Sequence, residues 1–123
     1  YALLGNAGEF LDPVFSSGVT IAVKSASLAA GLIEREWAGE TVDWEQEYAI
    51  PLKRGVDTFR HYVSGWYDGR FQDVVFFRQD KASPQISAMI SSILAGYAWD
   101  GKNPYVSEPR RRLRVLAELC AQN

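Results

Sequence analysis

Three short groups of residues near the start of the chain could do chemistry together. Gly5-Asn6-Ala7-Gly8 is small and turn-prone, Asp12-Pro13 follows, and Ser16-Ser17-Gly18-Val19 stands immediately before a long periodic segment. Glycines let backbone approach a ligand closely, and the first turn of a helix presents unpaired amide hydrogens with partial positive charge. An anionic or electron-rich ligand atom near Gly18 and Val19 would be favoured there. The same residues serve equally well as a plain turn followed by a helix cap, and spacing alone leaves both readings open.

Elsewhere the reactive side chains stand apart. His61 is the one histidine and lies between Arg60 and Tyr62, with no serine or cysteine nucleophile placed near it by the sequence. It reads as a packing or surface histidine, with general-base duty as the sharper alternative. A single imidazole specifies no metal site. Glu45 and Glu47, two apart, do not face each other on a helix and read as a solvated acidic face. Arg110-Arg111-Arg112 with Arg114 reads as a charged helix start rather than a nucleic-acid contact. Cys120, a lone thiol, forms no internal disulfide. The dense aromatic set Phe59, Tyr62, Trp66, Tyr67, Phe71, Phe76 and Phe77 is core, or in part an apolar pocket or docking surface.

Elements must position these groups. The apolar run Tyr1-Ala2-Leu3-Leu4 reads as a short buried strand, although no other stretch is an obvious partner for its backbone. From Val19 to about Trp37, Ala22, Ala26, Ala29, Ile33 and Trp37 recur at helical steps, and Gly39 closes the segment. Asp43 reads as an N-cap with Gln46 at the third helical position, opening a helix with Tyr48, Leu52, Phe59, Val63 and Trp66 on one face. Pro51 must kink that helix or restart it. A short helix over Phe71–Phe77 follows, and then one capped by Ser83 with Pro84 at its first position and Ile86, Ile90, Ile93 and Leu94 on its buried side. Asp100 to Pro104 reads as a loop, and Pro109 opens a last helix with Leu113, Leu116 and Leu119.

The 123 residues suit one domain that can bury roughly two-thirds of its unfolded surface. Hydrophobic residues at 47% and charged residues at 23% argue against a disordered tail. A net charge of -2 gives no general attraction to nucleic acid or anionic membranes. No apolar run is long enough to span a bilayer, and the absence of a basic segment before Tyr1 argues against a signal peptide. Opening at Tyr1 without methionine, the chain reads as a piece of something larger, and an omitted initiator methionine would look the same.

The run from Gly5 to Val19 resembles the second flavin-binding motif of the FAD-dependent monooxygenase superfamily, and within it the flavin-dependent, tryptophan-halogenase-like branch. That motif has a Gly-Asp-Ala-Ala core, a nearby proline, a loop with glycine and an alanine-rich helix; Phe59 to Tyr67 also resembles a pattern of the branch. The resemblance implies a mainly α chain, the C-terminal fragment of an FAD/NAD(P)-binding α/β oxidoreductase, with one short strand followed by about five helices. Residues 1–38 would end the FAD-binding domain and 39–123 would form a helical C-terminal region.

It further implies that Gly5, Asn6 and Ala7 lie by the ribityl chain and pyrophosphate of FAD. Asn6 stands where most relatives carry aspartate, so it can accept and donate but lacks the charge. Asp12 and Pro13 would approach the isoalloxazine edge, and Ser17, Gly18 and Val19 would offer amides to its pyrimidine end. A halide, if one is used, would rest by Ser16, Ser17 and Gly18. The implied reaction is halogenation or oxygenation of a small organic substrate, free or carrier-bound, by reduced flavin and molecular oxygen in the cytoplasm, served by a separate flavin reductase. Flavin-dependent reduction of isoprenoid double bonds and a non-enzymatic helical interaction domain are the alternatives.

The first dinucleotide fingerprint, a halogenase lysine in matching surroundings and a Trp-x-Trp-x-Ile-Pro stretch are all absent. Catalytic residues are therefore expected in a missing N-terminal portion. The chain alone is expected to be inactive, to bind FAD weakly or not at all, and to self-associate through exposed apolar surface.

Overall fold

The computed structural model describes residues 1–15, 17–77 and 83–121. Two 3-10 turns, Gly5–Ala7 and Pro13–Phe15, precede α1 (Ser17–Trp37). A π-helical turn, Glu45–Ala49, leads into α2 (Ile50–Tyr67), which is followed by α3 (Arg70–Phe77), α4 (Pro84–Leu94), α5 (Pro104–Ser107) and α6 (Pro109–Ala121). The chain divides into two compact units, Tyr1–Asp57 and Thr58–Asn123, and the division falls within α2.

The expected opening strand is overturned: among the described residues there is none, and the chain is helical without an α/β sheet. Leu4 is locally extended (φ -113, ψ 151), but no second extended segment lies beside it. The carbonyls of the run are taken up in other ways. Leu3 accepts a hydrogen bond from the Tyr48 hydroxyl at 2.6 Å, and Leu4 accepts one from the Ala7 amide at 3.2 Å. Nor is the run buried, since Tyr1, Leu3 and Leu4 are all exposed. A strand is stabilised by its ladder, and without a partner an apolar run satisfies its backbone locally.

In the N-terminal unit α1 packs on both 3-10 turns and on the π-turn. Its inward face is Ser17, Ile21, Ser25, Ala29 and Leu32. Of the face expected from the sequence only Ala29 is buried. This helix is apolar on two sides, so periodicity alone cannot say which one turns inward. Gly39, with φ +88, ends α1: its amide bonds to the Glu36 carbonyl and the Glu40 amide to that of Arg35, the paired closure that a left-handed residue permits.

Asp43 caps as expected, its Oδ1 accepting from the amides of Glu45 and Gln46 at 3.0 and 3.1 Å. The reciprocal bond to the Asp43 amide comes from Glu47 rather than Gln46, because the π-turn inserts a residue into the first coil. Helical backbone runs unbroken from Trp44 through Pro51, so the proline does not restart the helix; the π-turn Glu45–Ala49 stands immediately before it.

The C-terminal unit is built around aromatic rings. Tyr62 and Phe71 are fully buried and meet edge-to-face at 5.1 Å, with Trp66 against Phe71 at 6.2 Å and Phe59 against Trp99 at 6.1 Å. α6 packs on α3 and α5, bringing in Leu113 and Leu116, whereas Leu119 is exposed. Ser83 precedes α4 but its hydroxyl makes no capping bond. The sequence reading missed α5, whose cap is Asn103: it accepts from the Tyr105 amide at 2.9 Å and donates to the Met89 carbonyl at 2.8 Å.

Candidate functional site

The N-terminal block is assembled on the first turns of α1. Gly5 adopts φ +55, which lets the chain leave its extended run and close the 3-10 turn, with Gly8 and Glu9 amides both donating to the Gly5 carbonyl at 3.0 Å. The Gly5 amide donates to Ser25 Oγ at 2.9 Å, and that hydroxyl donates to the Ala22 carbonyl at 2.9 Å. A Cβ on Gly5 would stand 3.2 Å from the Ala22 Cβ. A glycine facing an alanine therefore sets how closely turn and helix approach, and a buried serine fastens them.

Next in the turn, Asn6 is exposed, and its side-chain oxygen would lie 3.3 Å from a Cβ on Gly18. This brings the amide side chain of the turn beside the N-terminal end of α1. Ala7 is exposed, Asp12 is half-buried and Pro13 is exposed at the start of the second 3-10 turn. Ser17, the first residue of α1, is only 1% exposed, and its Oγ has no hydrogen-bond partner among the described residues. Gly18 is half-buried and Val19 is 74% exposed. Ser16, expected beside a halide, lies outside the described residues.

A buried hydroxyl without a partner forfeits the hydrogen bonds it makes to water, at a cost of about 1–3 kcal/mol. Beside it, the opening amides of α1 have no intrahelical acceptors. Hydroxyl and amides together form a donor set, and Asn6 adds a group that both donates and accepts. Donors of this kind at a helix start attract an acceptor-rich or anionic group.

The sequence reading did not find two cavities flanking the Tyr1–Leu4 run in the same unit. One, of about 450 Å³, is lined by Leu3, Trp44, Tyr48, Leu52, Lys53 and Val56 among others. The other, of about 480 Å³, lies against Leu4, Ala29, Ile33 and Trp44. Burial pushes the Tyr48 phenol above its ordinary pKa, so it stays protonated and donates to Leu3. A long-range tyrosine–backbone bond leaves no local sequence signal. His61 sits half-buried in α2. Among the described residues no three His, Cys, Asp or Glu side chains gather to hold a metal ion, and no helix is long and apolar enough to cross a membrane.

No protein-family model matches the chain. The crystal structure of a flavoprotein/dehydrogenase from Cytophaga hutchinsonii is similar with a TM-score of 0.90 at 43% identity, over 97% of this chain and 29% of that one. A 1H-pyrrole-2-carbonyl-(peptidyl-carrier protein) chlorinase of Pseudomonas fluorescens is 29% identical over 125 residues, 96% of this chain and 26% of the relative. The chain thus spans less than a third of the length of either. Over nearly its whole length it is related, in sequence and fold, to one part of a flavoprotein, and in sequence to one part of a chlorinase.

Proposed function

We propose that this chain is the C-terminal, flavin-contacting portion of an FAD-dependent oxidoreductase of the halogenase or monooxygenase type. Residues 1–38 end its flavin-binding domain and 39–123 form a helical region. The observation that carries this reading is the start of α1, where the buried Ser17 hydroxyl has no partner and Asn6 reaches across to Gly18. The relatives support it, one described as a flavoprotein and the other as a chlorinase.

The residues present fit the cofactor. An isoalloxazine has an acceptor-rich pyrimidine edge, which suits the Ser17 hydroxyl and the amides of Gly18 and Val19. Asn6 serves the ribityl hydroxyls as donor and acceptor, with Gly5 and Ala7 beside it in the same turn. FAD, when bound, supplies the redox chemistry that reduced flavin performs with oxygen. The protein's part is to orient the ring: α1 directs its positive end at the edge where negative charge grows, and Asp12 and Pro13 bound the ring and limit water. A halide would rest by Ser16, Ser17 and Gly18. The further partners are the N-terminal portion of the polypeptide, a carrier-bound organic substrate and a separate flavin reductase.

One observation favours a second reading. The more similar of the two relatives is described as a flavoprotein/dehydrogenase, so electron transfer between flavin and substrate without halide is the alternative.

The test is to express the chain joined to the upstream portion of its polypeptide. The purified protein is expected to carry FAD and to form a chlorinated or oxygenated product detectable by mass spectrometry. Ser17→Ala should weaken FAD binding about tenfold, the worth of one hydrogen bond. Gly18→Val, whose side chain meets Asn6, should weaken it further. A joined protein that neither carries nor takes up flavin overturns the reading.

A further inference from the structure

The long helix α1 is apolar on two opposite sides. Ile21, Ala29 and Leu32 point into the N-terminal unit, while Val19, Val23, Ile33 and Trp37 are exposed on the other side, at 74, 65, 37 and 85% respectively. Ala22, Ala26 and Ala30 lie between them and are exposed as well. The outward residues follow steps of three and four, so they form one stripe along a helix roughly 30 Å long. No charged residue interrupts that stripe between Val19 and Ile33: Lys24 falls off it, and Glu34 and Glu36 come only at its end. A helix apolar all round belongs inside a protein, and large apolar residues exposed in a continuous row mark a surface that another body covers.

We infer that the Val19–Val23–Ile33–Trp37 face of α1 is the seat of the polypeptide equivalent to the remainder of the flavoprotein relatives. The occupant follows from length: the chain matches 29% and 26% of the two relatives while keeping their fold or sequence over nearly all of itself. In them the matched part is covalently attached to a body more than twice its size. A second copy of the chain is the competing occupant. This inference rests on the reading that the chain is part of a larger flavoprotein, and extends it by assigning α1 two roles. Its N-terminal end meets the cofactor, and its outward flank carries the body that holds the rest of that cofactor.

The double substitution Val23→Lys, Trp37→Lys tests it in two settings. In the 123-residue chain both side chains face water, so the melting temperature should stay within about 2 °C of wild type. In a chimera that replaces the matched segment of the Cytophaga flavoprotein with this chain, two buried lysines should lower it by about 5–10 °C. Mixing the chain with the remainder of that flavoprotein provides a second measurement, in which wild type should bind and the double variant should bind at least tenfold more weakly. Loss of stability in the isolated chain overturns the inference, as does an unchanged chimera or equal binding by both proteins. So does a wild-type dimer that excess remainder fails to dissociate. FAD content is read separately, in the unsubstituted chimera: if that protein holds no flavin while the double variant is destabilised as expected, the docking face stands and the cofactor reading is removed.

Discussion

The two units of the molecule solve the problem of burial differently. Thr58–Asn123 turns its polar groups toward each other: Tyr62 donates to the Tyr105 carbonyl at 3.1 Å, and Asn103 uses its side chain as both cap and donor. Its rings interlock around Phe71. Tyr1–Asp57 keeps Phe10 (67% exposed) and the Val19 face outside, retains two cavities and leaves the Ser17 hydroxyl without a partner. Exposed rings such as Phe76 and Tyr97 and a cavity of about 220 Å³ occur in Thr58–Asn123 too, so what sets Tyr1–Asp57 apart is the buried Ser17 hydroxyl with no partner among the described residues.

The contrast can be broken by mutation, beginning with the aromatic core. Phe71→Ala removes a fully buried ring and should lower the unfolding free energy by about 3–5 kcal/mol, measured by denaturant titration. Phe10→Ala, a ring of the same size in the other unit, should shift it by no more than about 0.5 kcal/mol. Equal effects would erase the distinction.

Gly5→Ala comes next, since alanine must enter the left-handed region and its methyl group would crowd Ala22 at 3.2 Å. A loss of about 1–2 kcal/mol is expected, with faster hydrogen exchange at the Gly5 amide as the Ser25 bond loosens.

Ser17→Ala should act in the opposite direction. Replacing an unsatisfied buried hydroxyl by a methyl group is expected to stabilise the 123-residue chain by about 1 kcal/mol while weakening flavin uptake in the joined protein. A destabilised chain would mean the hydroxyl is already satisfied, and the site would lose its main support.

The smallest effect concerns charge. The Arg35 guanidinium, and after it the Asp43 amide, hold the Glu47 carboxyl below the ordinary carboxylate range, and Arg70 does the same for Asp68. A carboxyl whose pKa is depressed by folding stabilises the fold above its unfolded pKa, and the contribution fades as pH falls through the folded value. Denaturation midpoints should therefore hold from neutrality to mildly acidic pH and decline only below the ordinary carboxylate range. Because Glu47, Asp68 and their partners are partly in solvent, the decline should be slight and reduced by salt. Carboxyl titrations by NMR check the direction.

Much of this architecture was legible in the chain itself. Helical periodicity, the Asp43 cap and the closing Gly39 each depend on residues a few positions apart, so their physics is written locally. The block from Gly5 to Val19 stood out for the same reason: glycines, a proline and a serine–glycine pair at a helix start limit what the backbone can do. What local pattern could not supply was partnership. Tyr1–Leu4 had the composition of a strand, but a strand exists only through a neighbour, and among the described residues none is present. The alanines of α1 announced a packing face without saying whether this chain or another body would fill it. Tyr48 reaching Leu3 and Asn6 reaching Gly18 span gaps in sequence that no periodicity encodes. Short-range sterics and capping are properties of the sequence, while burial and hydrogen-bond satisfaction depend on which distant groups meet, and folding alone decides that.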